Sequence, residues 1–148
     1  TTGLSVTALR YFTVYGPRQR PDMAIHKFCK AIDRGELIRL TGGEHSSRDY
    51  TFVSDIVEGT VAAIESAGPG YRIYNLGGSR ATTLGELVAY LGKALGKAPI
   101  VDVAPAAQGD VPHTLASVAR AEAELGYAPK VGIEEGIARF VAWYREQG

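Results

Sequence analysis

An α/β fold follows from the way apolar residues are spaced along this chain. Short β-rich runs alternate with longer stretches of helical periodicity. Glycine and proline pairs punctuate the alternation, and no repeat or low-complexity tract interrupts it. The 148 residues suffice for one modest core. The segments are too few and too short for a complete doubly wound sheet.

Residues 4–11 (LSVTALRY) form a nearly unbroken apolar run, expected as a strand buried on both faces of a parallel sheet. The run ends at the rigid turn Gly16-Pro17. Asp22 is placed to cap a helix over residues 23–34, whose Ile25, Phe28, Cys29 and Ile32 keep helical spacing and which Gly35 ends. Residues 37–41 read as a short strand before Gly42-Gly43, and residues 48–53 (RDYTFV) as another. Ser54 is placed to cap a helix to about residue 67, with Asp55 and Glu58 in the first turn, where the helix dipole favours anions. After Gly68-Pro69-Gly70, residues 71–76 (YRIYNL) form a strand closed by Gly77-Gly78. Thr83 and Glu86 fit a capping box opening a helix to about residue 95. A strand at 100–103, a proline-broken loop at 104–114, a helix from Ser117 to about 125 and a last helix over 133–147 complete the chain.

Sixteen basic and sixteen acidic side chains cancel, and no block of like charge points to a nucleic acid or an anionic membrane. No apolar run approaches the ~20 residues that span a bilayer. One cysteine, Cys29, leaves no internal disulfide, which fits a cytoplasmic protein. The chain opens Thr1-Thr2-Gly3 and its one methionine is Met23, so it is expected to be a cut made inside a larger protein.

Several kinds of chemistry lack their residues. Gly42-Gly43 and Gly77-Gly78 have no third glycine of a dinucleotide fingerprint and read as turns. None of the eight tyrosines has a lysine four places on, so no phenol is set beside an ammonium for proton transfer. His26 and Cys29 share a helix face, but no second pair lies close in sequence, so no metal site is expected. No nucleophile elbow is present. What stands out is arginine at turns. Arg20 follows Gly16-Pro17, and Arg48 follows Gly42-Gly43, each placed to bind an anion with a two-pronged fork. Arg18 reads as a solvated charge, and the plain alternative for Arg48 is a surface pair with Asp49. Asp110 lies in the loop QGDVP.

Five motifs occur in order: LRYFTVYGPRQRPDMAIHKF, SSRDYTFVSDIVEG, YNLGGS, GDVPHT and LGYAPKVGIEEGIARFVAWY. Together they resemble the C-terminal half of the extended short-chain dehydrogenase/reductases that epimerise or dehydrate sugar nucleotides. The likeness is strongest to UDP-glucuronate 4-epimerase-like and UDP-glucose 4-epimerase-like members, through Thr13 and the run Arg20-Pro21-Asp22-Met23. The resemblance implies that residues 1–16 are the last long strand of an NAD-binding Rossmann domain and its exit turn. It implies that 17–148 are mostly the nucleotide-sugar domain, with 48–76 returning partly to the Rossmann core.

The resemblance also implies roles. Tyr11, Phe12 and Val14 lie near the nicotinamide of NAD. Thr13 faces the sugar, Arg20 and Arg48 bind the diphosphate, Leu40 and Thr41 border the uracil with backbone groups, and Asp110 binds ribose. Ala107, with Gln108 beside it, replaces a common arginine or glutamine, and Thr41 replaces a common aromatic. The glycine-rich NAD loop, the Tyr-x-x-x-Lys pair and its Ser/Thr partner fall upstream of Thr1. The implied parent is therefore an NAD-dependent, homodimeric enzyme that oxidises and re-reduces C4 of a UDP-hexose or UDP-hexuronate. This chain alone is expected to be inactive and to have the rest of the enzyme as its partner. A dehydratase or decarboxylase of the same family, or a non-catalytic nucleotide-sugar-binding protein, are the alternatives.

Overall fold

A computed structural model describes residues 3–106, 109 and 111–147. Its elements run β1 (Val6–Tyr11), β2 (Thr13–Tyr15), α1 (Ala24–Arg34), β3 (Leu37–Thr41), β4 (Ser47–Phe52) and α2 (Val53–Glu65). They continue with β5 (Tyr71–Leu76), β6 (Ala81–Thr83), α3 (Leu84–Leu95), β7 (Ile100–Ala104), α4 (Ala119–Leu125) and α5 (Ile133–Glu146). The chain is α/β, as its periodicity predicts.

The strands form three small sheets. β1 pairs in parallel with β5, Val6 opposite Tyr71 and Tyr11 opposite Leu76. β4 lies between β2, parallel to it, and β6, antiparallel. β3 pairs in parallel with β7. The sequence reading missed that the apolar run does not simply leave its sheet into a turn. Only Phe12 separates β1 from β2, and there the chain passes from the β5 sheet to the β4 sheet. β6 was also missed; at three residues it carries no period of its own.

The expectation that residues 4–11 are buried on both faces needs correction. Leu4 is 70% exposed and Tyr11 50%, because among the described residues β1 pairs with one strand, β5. Three helix starts also differ. α1 is capped at Met23 without a side-chain bond, since the Asp22 carboxylate is taken by Arg20. α2 starts directly from β4 at Val53, so Ser54 lies inside the helix and Glu58 beyond its first turn. α4 begins at Ala119, two residues after Ser117. The capping box at Thr83 and Glu86 is present as read.

Two apolar clusters hold the molecule together. The larger joins Tyr15, Ile25, Cys29 and Leu40 to Leu91 and Phe140, packing α1, α3 and α5 against β2, β3 and β4. The smaller joins Ile56 to Tyr74, Leu76 and Tyr127, between α2, β5 and the end of α4. The segment that carries Thr13 is therefore clamped from both sides.

Candidate functional site

Two clefts open at the point where the chain changes sheets. One, of about 540 Å³, is lined by Tyr11, Phe12, Val14 and Thr114. The other, of about 480 Å³, is lined by residues of α1, β3 and β4, among them Lys27, Phe28, Arg39, Thr41, Arg48 and Tyr50. Thr13 and Met23 line both. The first cleft lies at the carboxyl end of the parallel β1–β5 pair, the end at which α/β sheets receive ligands. The second gathers the cations Lys27, Arg39 and Arg48; of the carboxylates beside them, Asp22 is bound to Arg20 and Asp102 stands 3.8 Å from Arg39. That surplus attracts a multiply charged anion.

Local structure explains each placement. On β3, Ile38 and Leu40 point into the core while Arg39 and Thr41 take the other face. On α1, Met23, Lys27 and Phe28 fall on one side while Ile25, Cys29 and Ile32 are buried. Burial and the nearby Asp33 carboxylate raise the Cys29 thiol to about 12, which leaves it a core residue. Among the described residues no metal-binding cluster of His, Cys, Asp and Glu forms. His26 instead packs edge-on to Phe140, Trp143 and Tyr144.

Arg48 is held at one end of its guanidinium. Its Nη1 donates to Ser47 O at 2.9 Å, and to Ser46 Oγ and Pro112 O at 3.3 Å each. The segment 112–116 is zipped along β4 by further bonds, Ser47 N to Pro112 O at 2.9 Å and Thr114 N to Ser47 O at 3.2 Å. His113 Nδ1 sits 2.9 Å from Ser47 Oγ.

The surface pair of Arg48 with Asp49 does not form. Neighbours on a strand face opposite ways, and Asp49 is fully buried. Its Oδ1 accepts from Gly78 N at 2.7 Å and Thr51 Oγ1 at 3.2 Å. Its Oδ2 accepts from Ser79 N at 3.0 Å and Ala116 N at 2.9 Å. A Cβ on Gly77 would press on Ala116 Cβ, and one on Gly78 would stand 3.1 Å from Asp49 Oδ1. These glycines follow the end of β5 in extended chain rather than in a turn, and they admit the carboxylate. Asp49 thus ties β4, the end of β5 and the segment before α4 together directly behind Arg48.

The remaining candidates are placed unevenly. Thr13, Thr41 and Arg48 share the cationic cleft, and Tyr11, Phe12 and Val14 share the other. Arg20 lies outside both, 75% exposed, donating to Asp22 from Nε at 3.0 Å and Nη2 at 2.5 Å. Leu40 buries its side chain in the core, and its carbonyl accepts from Gly43 N at 3.3 Å. Arg18 is exposed, in keeping with its reading as a solvated charge. Asp110, Ala107 and Gln108 lie outside the described residues. Sequence reasoning missed Lys27, Arg39, Met23 and Thr114. The first two carry a usable signal: Lys27 lies one helical turn after Met23, and Arg39 alternates with two core residues.

The NAD dependent epimerase/dehydratase family model matches residues 1–77, just over half of the chain. A probable UDP-glucuronate 4-epimerase of Rhizobium meliloti (strain 1021) is 41% identical over 156 residues, covering 93% of this chain and 46% of that protein. The solved structure of MoeE5 in complex with UDP-glucuronic acid and NAD superposes with a TM-score of 0.91 at 37% identity, over 97% of this chain and 48% of that one. A UDP-glucuronic acid 4-epimerase from Bacillus cereus, solved with UDP-glucuronic acid and NAD, gives 0.88 at 32% identity, over 95% of this chain and 45% of that one. The chain belongs to the NAD-dependent epimerase/dehydratase family. It spans about half the length of the relatives it matches.

Proposed function

We propose that this chain is the nucleotide-sugar-binding portion of an NAD-dependent 4-epimerase acting on UDP-glucuronate or UDP-glucose. One observation carries the reading: the apolar-lined cleft and the cationic cleft meet at Thr13. A cofactor in the first and a sugar nucleotide in the second would touch there. The relatives named above support this assignment of the two clefts.

The residues fit NAD in a limited way. Tyr11, Phe12 and Val14 offer an apolar floor to the nicotinamide end, and this chain has no glycine fingerprint for the pyrophosphate. When bound, NAD supplies the acceptor and donor of the C4 hydride. In the second cleft Arg48, with Lys27 and Arg39, holds the diphosphate, and Thr41 with the Leu40 backbone borders the uracil. Thr13 Oγ1 orients the sugar or its carboxylate at the junction. Arg20 joins the diphosphate once it leaves Asp22, and Asp110 holds ribose. Residues 1–16 then belong to the cofactor domain, and most of 17–148 to the sugar-nucleotide domain. The chain has no Tyr-x-x-x-Lys pair, so proton transfer at the C4 hydroxyl is left to the other part of a cytoplasmic, homodimeric enzyme.

Calorimetric titration of UDP into the enzyme that carries this chain tests the reading. A charge-assisted hydrogen bond contributes about 1.5–3 kcal/mol, or roughly one to two decades of affinity. Arg48→Ala should weaken UDP binding by that much and leave NAD binding unchanged. Arg48→Lys should restore little, because an ammonium lacks the fork. Equal dissociation constants for wild type and Arg48→Ala would remove Arg48 from the site. The 148-residue chain by itself should not interconvert UDP-glucose and UDP-galactose, nor the two uronates, and a coupled NADH assay checks this.

A further inference from the structure

A smaller cavity, of about 160 Å³, shares Tyr50 with the cationic cleft. Around it stand Arg80, Thr82, Lys130, Gly132 and Ile133. The register of β4 and β6 sets Thr82 opposite Arg48, so Thr82, Arg48 and Tyr50 share one face of that sheet. Tyr50 is 8% exposed and Thr82 3%. Among the described residues neither hydroxyl has a hydrogen-bond partner, and neither oxygen is fully enclosed by protein. Thr82 lines this cavity and neither cleft. Buried hydroxyls are almost always paired, so two idle ones beside a void point to a polar occupant. Burial pushes the Tyr50 phenol up to about 12, so across the neutral range it has a proton to donate.

The rest of the lining is electropositive. α5 starts here from Gly132, without a side-chain cap. The N–H groups of Ile133, Glu134 and Glu135 precede the first helical bond, Gly136 N to Gly132 O at 2.9 Å, and carry the positive end of a 14-residue helix. Arg80 is exposed and has no ion pair among the described residues. The nearby carboxylates are engaged: Glu134 with Lys93, Glu135 with Arg139, Glu58 with Lys130, Asp55 with Val131 N and Glu86 with Thr83. The volume is roughly five times a water's share of the liquid, about 30 Å³. That is room for one small ion and well short of the ~300 Å³ at which pockets for larger ligands begin.

We propose that this cavity binds one tetrahedral oxyanion of the phosphate or sulfate class, held by the first N–H groups of α5, the Thr82 and Tyr50 hydroxyls and the Arg80 guanidinium. Every one of these groups is a donor or a cation, and a tetrahedral oxyanion accepts from several directions at once. The ion ties the start of α5 to the β4–β6 edge. The site is separate from the two clefts, and the inference does not depend on which ligands fill them.

The probe is inorganic phosphate, titrated calorimetrically at constant ionic strength into the enzyme that carries this chain. Saturating UDP in one series and Arg48→Ala in another take the cationic cleft out of account. Saturable one-to-one binding is expected in both. Arg80→Ala and Thr82→Val should each weaken it about tenfold and leave UDP affinity unchanged, since neither residue lines the cationic cleft. Without phosphate, Thr82→Val should unfold at the wild-type urea concentration or above it, because the hydroxyl it removes has no partner. Phosphate should then raise the wild-type midpoint more than the variant's. Phenyl phosphate, run alongside, separates two sources of the same chemistry: equal affinity supports a phosphoryl group on a larger molecule, and exclusion supports the free ion. Absence of saturable phosphate binding, which would leave the cavity to water, overturns the inference. Binding that neither Arg80→Ala nor Thr82→Val weakens overturns it equally.

Discussion

Asp49 is the residue on which the site's framework turns. Its two carboxylate oxygens accept three backbone N–H groups and one hydroxyl from segments far apart in sequence. Removing the acceptor leaves those donors buried and unpaired, at about 1–3 kcal/mol for each group affected. Asp49→Ala should therefore destabilise the chain by roughly 3 kcal/mol or more, at the upper end of single-substitution effects. Asp49→Asn should fall between, since its amide keeps one acceptor and turns two hydrogens toward N–H groups. Urea unfolding followed by tryptophan fluorescence measures both; an Asp49→Ala midpoint within error of wild type would contradict the account. Arg48 stands one residue away and faces the other side of the strand. The two neighbours thus divide the work: Asp49 fixes the strand, and Arg48 presents a cation to the cleft.

At the scale of elements, α3 carries the clearest local signal. Glu86 N donates to Thr83 Oγ1 at 3.2 Å, and Thr83 N donates to a Glu86 carboxylate oxygen at 2.8 Å. The Thr83 N–H foremost, and then the Thr83 hydroxyl 2.9 Å away, donate to the Glu86 carboxylate and hold it below its ordinary value. A depressed folded-state value adds stability above the unfolded one, near pH 4.3, and loses it as pH falls through the folded one. The first turn of α3 should therefore fray in acid before the rest of the helix, seen as faster amide exchange at Thr83 to Glu86. Glu86→Gln should remove that pH dependence, and Thr83→Ala should cost about 1 kcal/mol at neutral pH. The other helix starts lack such a device. α2 relies on buried Asp55, which accepts from Val131 N at 3.1 Å and so couples the helix to the segment before α5.

Across the whole molecule, the two cores are built partly from groups that must stay neutral. Burial raises the Cys29 thiol and the Tyr50 phenol each to about 12, and raises Tyr15 and Tyr127 beyond their usual range. In the unfolded chain these groups ionise near their ordinary values, about 8.5 and 10. Their contribution is whole below those values and is lost as pH climbs toward the folded ones. Stability should hold steady to about pH 8.5 and decline through pH 9–11. Urea midpoints at pH 8 and 10.5 measure the decline, and Cys29→Ala with Tyr50→Phe should make it shallower, Tyr15 and Tyr127 keeping the rest. An unchanged slope in the double variant would place the alkaline loss elsewhere. The larger core fastens α1, α3 and α5 to the strands that line the cationic cleft, so loss of packing and loss of the cleft should coincide.

Alternation and helical period were enough to locate β5, β3, α3 and α5 to within a residue or two, because each is decided by side chains adjacent in sequence. The turn glycines and the arginines beside them were legible for the same reason, and Thr13 was reached through its motif. What the tertiary structure alone decided are relations between distant residues. Asp49 looked like a surface charge because its donors at Gly78 and Ala116, 29 and 67 positions away, are backbone groups that no side chain announces. The pairing of Arg20 with Asp22 was not legible either, because a guanidinium's partner depends on where the chain turns. The change of sheet at Phe12, which sets two clefts back to back around Thr13, arises from pairing with β5 on one side and β4 on the other. Strand pairing is chosen by the packing of whole faces, and no window of neighbouring residues contains that choice.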